Sequence, residues 1–182
     1  ISPVGHFKRK RRLEIDHAKK NGLLLVTSTI PRYSYHMYSA FVSRQWLDYL
    51  NDQFAFCQTL SPELRTNLKV RLSQHDYNWE QMQRWKDHWP EIEIDQGKQR
   101  IDKLVRECRI YVSSYNATTY LESFTMNVPT VIFWNPRHWE LRDSAKPYFE
   151  VLKEAGIFHE TPESAARHIT RVWDRVDEWW TS

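Results

Sequence analysis

Leu23, Leu24, Leu25 and Val26 follow one another with no polar residue between them. An unbroken apolar run this short is the pattern of a strand buried on both faces, as in a parallel sheet covered by helices. LLLVTST (23–29) therefore reads as a first strand. SRQWLDYLNDQFAFCQTL (43–60) instead repeats its apolar residues at helical spacing, with Trp46, Leu47, Leu50 and Phe54 on one side. The two patterns then keep trading places. NLKVRLS (67–73) reads as a strand, NWEQMQRWKDHW (78–89) as a helix stopped by Pro90, and EIEID (91–95) as an edge strand. GKQRIDKLVREC (97–108) is helical, IYVSS (110–114) a strand, 118–126 a helix and TVIFW (130–134) a strand. A helix through SAKPYFEVLKEAG ends at Gly156, and Ile157 and Phe158 form a last short strand. The final helix has Thr161 as N-cap, Pro162 at its first position, and an apolar stripe through Ala166, Ile169, Val172, Trp173, Val176 and Trp180.

Strands alternating with helices predict an α/β fold, a Rossmann-like parallel sheet with helices on both faces. Residues 22–182 form one domain, and residues 1–21 a basic linker or arm that includes KRKRR (8–12). Ligands of such sheets sit beyond the carboxyl ends of the strands, so the positions to question follow Thr29, Ser73, Ser114 and Trp134.

Composition narrows the function classes. A net charge of +3 on 182 residues is too small to argue for nucleic acid without a basic patch. Cys57 and Cys108, both in segments read as helical, make no disulfide framework and fit a reducing cytosol. No apolar run reaches membrane-spanning length, and the basic start has no signal-peptide core. The eight histidines show no metal-ligand spacing, so no metal site is expected. Four glycines are too few for a glycine-rich phosphate loop, and Ser43 lacks the glycine turn of a nucleophile elbow. Nine tryptophans exceed what the core needs, and either pack under helices or cover a ligand or another domain. A start at Ile1 suggests a piece of a longer protein, with a partner domain upstream.

The densest chemistry lies in SSYNATTYLESFTMNVPTVIFWNPRHWE (113–140). Ser113 and Ser114 end a strand, and Thr118 and Thr119 open a helix. A helix start presents unpaired amides and the positive end of the dipole, which favour an anion. Two hydroxyls with two amides would hold a diphosphate. The same residues also fit a capping box, Thr119 with Glu122, or an N-cap at Asn116, in which case they bind nothing else. His75, beside Asp76, lies on the same rim and is a candidate for acid–base work. In the loop after Trp134, Asn135, Arg137, His138, Glu140 and Arg142 are further rim candidates, the arginines for phosphate and His138, Trp139 or Glu140 for base or sugar.

The run SSYNATTYLESFTMNVPTVIFWN resembles the C-terminal, nucleotide-binding half of GT-B glycosyltransferases, where a hydroxyl-rich turn and an acid-bearing helix join two strands. It is also similar to the CDP-glycerol glycerophosphotransferases of teichoic-acid assembly. From LLLVTSTIPRYSYHMYS to FWNPRHWELRDSAKPYFEVLKEAGIFHETPESAA, the chain resembles a group of bacterial surface-carbohydrate transferases. The resemblance implies that Thr118 and Thr119, with Ser114 and Asn116 in the same turn, hold donor phosphates. It implies that Glu122 meets the ribose or sugar and that Arg32, in TSTIPRY, lies beside the phosphates. In this sequence the proline directly precedes Arg32 and the threonines come earlier. The implied donor is a nucleotide-activated sugar or polyol phosphate, with no further cofactor. The implied partner is an N-terminal acceptor-binding domain, which would carry the catalytic base, so the catalytic residue is unknown. Such an enzyme works in the cytoplasm or at the inner membrane surface. The rival reading is a non-catalytic module binding nucleic acid or an acidic polymer through the basic arm and exposed tryptophans.

Overall fold

The computed structural model describes residues 16–34, 36 and 40–182, and the basic run 8–12 lies outside the described residues. Six parallel strands build the sheet: β1 (Gly22–Val26), β2 (Leu68–Arg71), β3 (Glu93–Asp95), β4 (Cys108–Ser113), β5 (Thr130–Phe133) and β6 (Phe158–His159). Their spatial order is β3-β2-β1-β4-β5-β6. The expected α/β, Rossmann-like sheet is therefore present. The chain winds outward from β1 in one direction, returns to the centre at β4, and winds outward in the other. Right-handed crossovers in opposite directions place the helices of the two halves on opposite faces.

The helices are α1 (Gln45–Thr59), α2 (Pro62–Thr66), α3 (Gln81–His88), α4 (Ile101–Glu107), α5 (Thr118–Thr125), α6 (Lys146–Glu154), α7 (Pro162–Val172) and α8 (Val176–Thr181). α1 packs against α7, α4 touches β1 and β4, and α5 touches β4 and β5. The middle strands are closed on both sides, since every residue of β4 and β5 is buried. Their hydrogen bonds go to neighbouring strands, so an apolar surface on both faces leaves no backbone group unpaired.

Several elements differ from expectation for local reasons. α2 is an element the sequence reading does not include; it forms because Ser61 accepts from the Leu64 amide and Pro62 presets the first turn. α3 begins late: Tyr77, Asn78 and Glu80 hold left-handed backbone, and the Asp76 carboxylate accepts from the Glu80 and Gln81 amides at 2.8 and 2.7 Å. Cys108 opens β4 rather than closing a helix, and both cysteines are buried and free. The final helix is interrupted by a 3-10 turn at Trp173–Arg175, after which α8 carries Trp179 and Trp180.

None of the nine tryptophans is among the exposed large apolar residues. Trp179 is half-buried on its own domain, donating from its indole to the Ala155 carbonyl at 2.9 Å and meeting His168 edge-on. His17–Lys19, inside the segment read as a linker, forms a 3-10 turn against the domain. Its buried His17 ring meets the Asn127 carbonyl at 2.9 Å, and its amide donates to Asp177. The Trp180 indole donates to the Asn127 side chain at 3.2 Å.

Candidate functional site at the sheet's switch point

β1 and β4 are hydrogen-bonded neighbours whose chains leave the sheet in opposite directions. Such a switch point is where a crevice opens above the carboxyl ends of the strands. A cleft of about 230 Å3 occupies it, lined by Thr27 and Ser28 after β1, Arg71 and Gln74 at and after β2, Tyr115 after β4, and Thr119 on α5.

The floor is tied together by hydroxyls. Ser114 donates to the Val26 carbonyl at 3.1 Å, so the 2.7 Å contact between Ser114 and Tyr49 is donated by the tyrosine. Tyr49 in turn accepts from the Ser28 amide at 2.8 Å. Burial raises the Tyr49 phenol far above its ordinary value, so it remains a neutral donor. Ser114 is thereby built into the floor, beneath the cleft lining. Thr27 donates to the Arg71 carbonyl, joining the ends of β1 and β2.

The walls carry one fixed cation. Arg71 donates to Asp95 and, at 2.7 Å, to the Gln99 carbonyl, which holds its guanidinium at the cleft with its charge partly balanced. Gln74 donates to the Gly97 carbonyl at 2.6 Å. Gly97 has a φ of +76°, and a Cβ there would lie 2.4 Å from the Gln74 side chain. Only glycine lets that side chain lie so close. Tyr115 sits 3.1 Å from the Thr119 hydroxyl; burial raises its phenol, with Thr119 and Arg71 acting against the rise.

α5 starts over this cleft. Its N-cap is Ala117, and no side chain caps it. The alternative reading of these residues as a capping box therefore does not form: Thr119 is already the second helical residue and Glu122 the fifth. Asn116 does not cap either, and its side chain accepts from the Tyr120 phenol at 3.0 Å. Thr118 is exposed at the helix start, Thr119 lines the cleft, and Glu122 is half-buried one turn on. The first turn of α5 thus starts without a side-chain cap, and its Thr119 shares the cleft with Arg71, an arrangement suited to a phosphate.

A family model described as the LIC12162 family transferase matches residues 1–182. The chain belongs to the LIC12162 family. It is by that membership a transferase. A search of the curated proteins finds no match.

In this LIC12162 family transferase the other residues singled out by sequence are not among those lining the cleft. Arg32 is exposed, donates to the Asn78 carbonyl at 3.2 Å and stacks over Trp79, with its guanidinium 5.3 Å from the ring centre. His75 is exposed beside Tyr77. Asp76 starts α3, and although burial would raise its carboxyl, the Gln81 and Glu80 amides hold it below the usual value. Asn135 folds back to accept from the Arg137 amide, while Arg137, Glu140 and Arg142 are exposed. His138 is buried against Phe41 and Trp139, and burial lowers its pKa against the pull of Asp48.

Sequence reasoning does not single out the cleft residues Arg71, Gln74 and Tyr115. Arg71 was read as strand interior, yet β2 ends there, and an arginine near the carboxyl end of an apolar run was the available signal. A larger cleft of about 610 Å3 lies at the β6 edge and holds none of the predicted site residues. Its Lys153 is paired with Glu160, and both nitrogens of His159 are bonded within the fold. The smaller cleft brings together Arg71 and Thr119, the second residue of α5. Among the described residues no group of three histidine, cysteine or acidic side chains could hold a metal, and no helix is long and apolar enough to cross a membrane.

Proposed function

We propose that this domain binds the donor of a GT-B-type transfer, a nucleotide-activated sugar or polyol phosphate used in cell-surface polysaccharide synthesis. The observation that carries this reading is the uncapped start of α5 over the β1–β4 crevice, with Thr119 and Arg71 in one cleft. A diphosphate there meets amides from the helix start, the hydroxyls of Thr118 and Thr119, and the Arg71 guanidinium. As the bond to the transferred group breaks, negative charge grows on the leaving diphosphate, and preorganised donors stabilise it without a metal. Glu122, one turn along α5, is the acceptor for ribose or sugar hydroxyls. Arg32, engaged with the Asn78 carbonyl and Trp79 outside the cleft, would have to leave them to meet the phosphates. Acceptor and catalytic base come from a partner domain, which makes this the donor half of the enzyme, working in the cytoplasm or at the inner membrane surface.

The test is thermal unfolding with UDP, CDP and GDP conjugates against free sugars. A nucleotide at one hundred times its Kd stabilises by about 2.7 kcal/mol, while free sugars leave the midpoint unchanged. Should no nucleotide move the midpoint at millimolar concentration, donor binding by this domain is wrong.

A further inference from the structure

Parallel pairing sets Arg71 of β2 beside Asp95 of β3. Asp95 is 6% exposed. One of its carboxylate oxygens accepts from Arg71, and the other accepts from the Lys98 and Gln99 amides at 3.2 and 3.3 Å. The Gln99 carbonyl in turn accepts from the same Arg71 nitrogen, Nη1, at 2.7 Å. A single carboxylate therefore sets both grips on the guanidinium, one directly and one through the turn that it ties. Nη1 carries two hydrogens, and these two bonds use both. The three remaining N–H groups, on Nε and Nη2, form the other side of the fork. Neither nitrogen has a partner among the described residues, and neither is among their enclosed unpartnered atoms, so both reach open space. Arg71 lines the β1–β4 cleft, and its side chain is 14% exposed.

Resting on the donor-binding reading above, we infer that Asp95 is a positioning residue for the donor. It fixes Arg71 so that the Nε–Nη2 edge meets two oxygens of one donor phosphate as a fork. An arginine left to turn would surrender its rotamer freedom each time a phosphate arrived. Held at Nη1 beforehand, it gives up that freedom on folding, and binding costs less. A buried ion pair adds little net stability over a well-packed apolar pair, so stability alone is a weak reason for these charges. Asp95 also subtracts from the positive charge that a phosphate meets. A cleft open to water screens that effect, whereas the fork is a direct contact, so the loss of aim outweighs it.

The experiment is calorimetric titration of the protein with inorganic pyrophosphate, UDP and CDP, on wild type, Asp95→Asn, Arg71→Gln and the double variant. Asparagine offers one acceptor oxygen in place of two, so it cannot serve Arg71 and the loop amides as aspartate does. Asp95→Asn is expected to weaken binding about tenfold and Arg71→Gln at least as much, with the double variant no weaker than Arg71→Gln alone. An equal loss from Asp95→Asn in both backgrounds would mean that it acts through the fold and not through Arg71. That result overturns the assignment, as does unchanged or tighter binding by the single variant. Side-chain N–H resonances of Arg71 in the wild type decide the matter even if Asp95→Asn does not fold. A guanidinium held at Nη1 gives separate Nη proton signals before ligand is added, and its Nε–H shifts with whichever of the three ligands binds. One averaged Nη signal, or an Nε–H indifferent to that ligand, overturns the positioning role and leaves donor binding standing. Failure of the wild type to bind any of the three overturns both.

Discussion

Thr119 meets Tyr115 through its hydroxyl and faces the cleft at the second position of α5, where no cap depends on it. Thr119→Val is thus expected to weaken nucleotide binding by about tenfold or more, the scale of one hydrogen bond to a charged group. Stability should fall by only about 0.5–1 kcal/mol for the lost Tyr115 contact. Calorimetry and urea unfolding on the same sample separate the two, and unchanged affinity would remove Thr119 from the site. Asp52 illustrates a different residue-scale effect. On α1 it is half-buried, and burial, with help from Glu163 and Asp48, pushes its carboxyl up to about 6. A folded pKa above the unfolded value means that the ionised form destabilises the fold, increasingly as pH rises through the interval from 3.8 to about 6. Asp52→Asn should therefore stabilise at pH 7, by about 1 kcal/mol after allowing for solvent screening, and by nearly nothing at pH 3.5. An unfolding midpoint that does not depend on pH in this way would show that α1 and α7 accommodate the charge.

Whole elements were readable wherever their signal was local. β1 carries an uninterrupted apolar run, β4 and β5 carry shorter ones at Ile110–Val112 and Val131–Phe133, and α7 has its Thr161 cap and Pro162 as expected. Ends were not readable, because they depend on which side-chain partner the backbone or side chain meets, near or far along the chain. β2 stops at Arg71 as that side chain turns to Asp95, and α3 waits for the Asp76 carboxylate to gather its amides. The junction after α6 combines both kinds of information. Gly156 was expected as a helix stop, and it holds a φ of +71°. The structure adds that a Cβ there would lie 2.4 Å from the His168 ring of α7. Gly156→Ala should cost about 3 kcal/mol, combining left-handed strain with a clash against a buried ring. Urea unfolding measures it, and a loss below about 1 kcal/mol would mean that His168 moves aside without cost.

At the scale of the whole molecule, four histidines are folded in as neutral rings. Burial comes first among the causes that lower His17, His138, His159 and His168, the last to about 4. Each favours the fold most at pH above the ordinary value of 6.5, and that contribution is lost as pH falls toward the folded value. Thermal unfolding should show the midpoint dropping between pH 6.5 and 4.5, and His168→Gln should flatten the drop. A profile level across that interval would place the burial penalty elsewhere. The alternation of apolar runs and helical stripes determined the class of fold, since each pattern is satisfied by its own neighbours in the chain. It also marked the Ser113–Glu122 segment as a place where a strand hands over to a hydroxyl-bearing helix. Which strands lie side by side, and hence that Arg71, Gln74, Tyr115 and Thr119 share one cleft, was decided only in three dimensions. The same holds for α5 remaining uncapped, where either reading was compatible with the residues. Strand order depends on the summed burial of faces separated by dozens of residues, and no local periodicity records that sum.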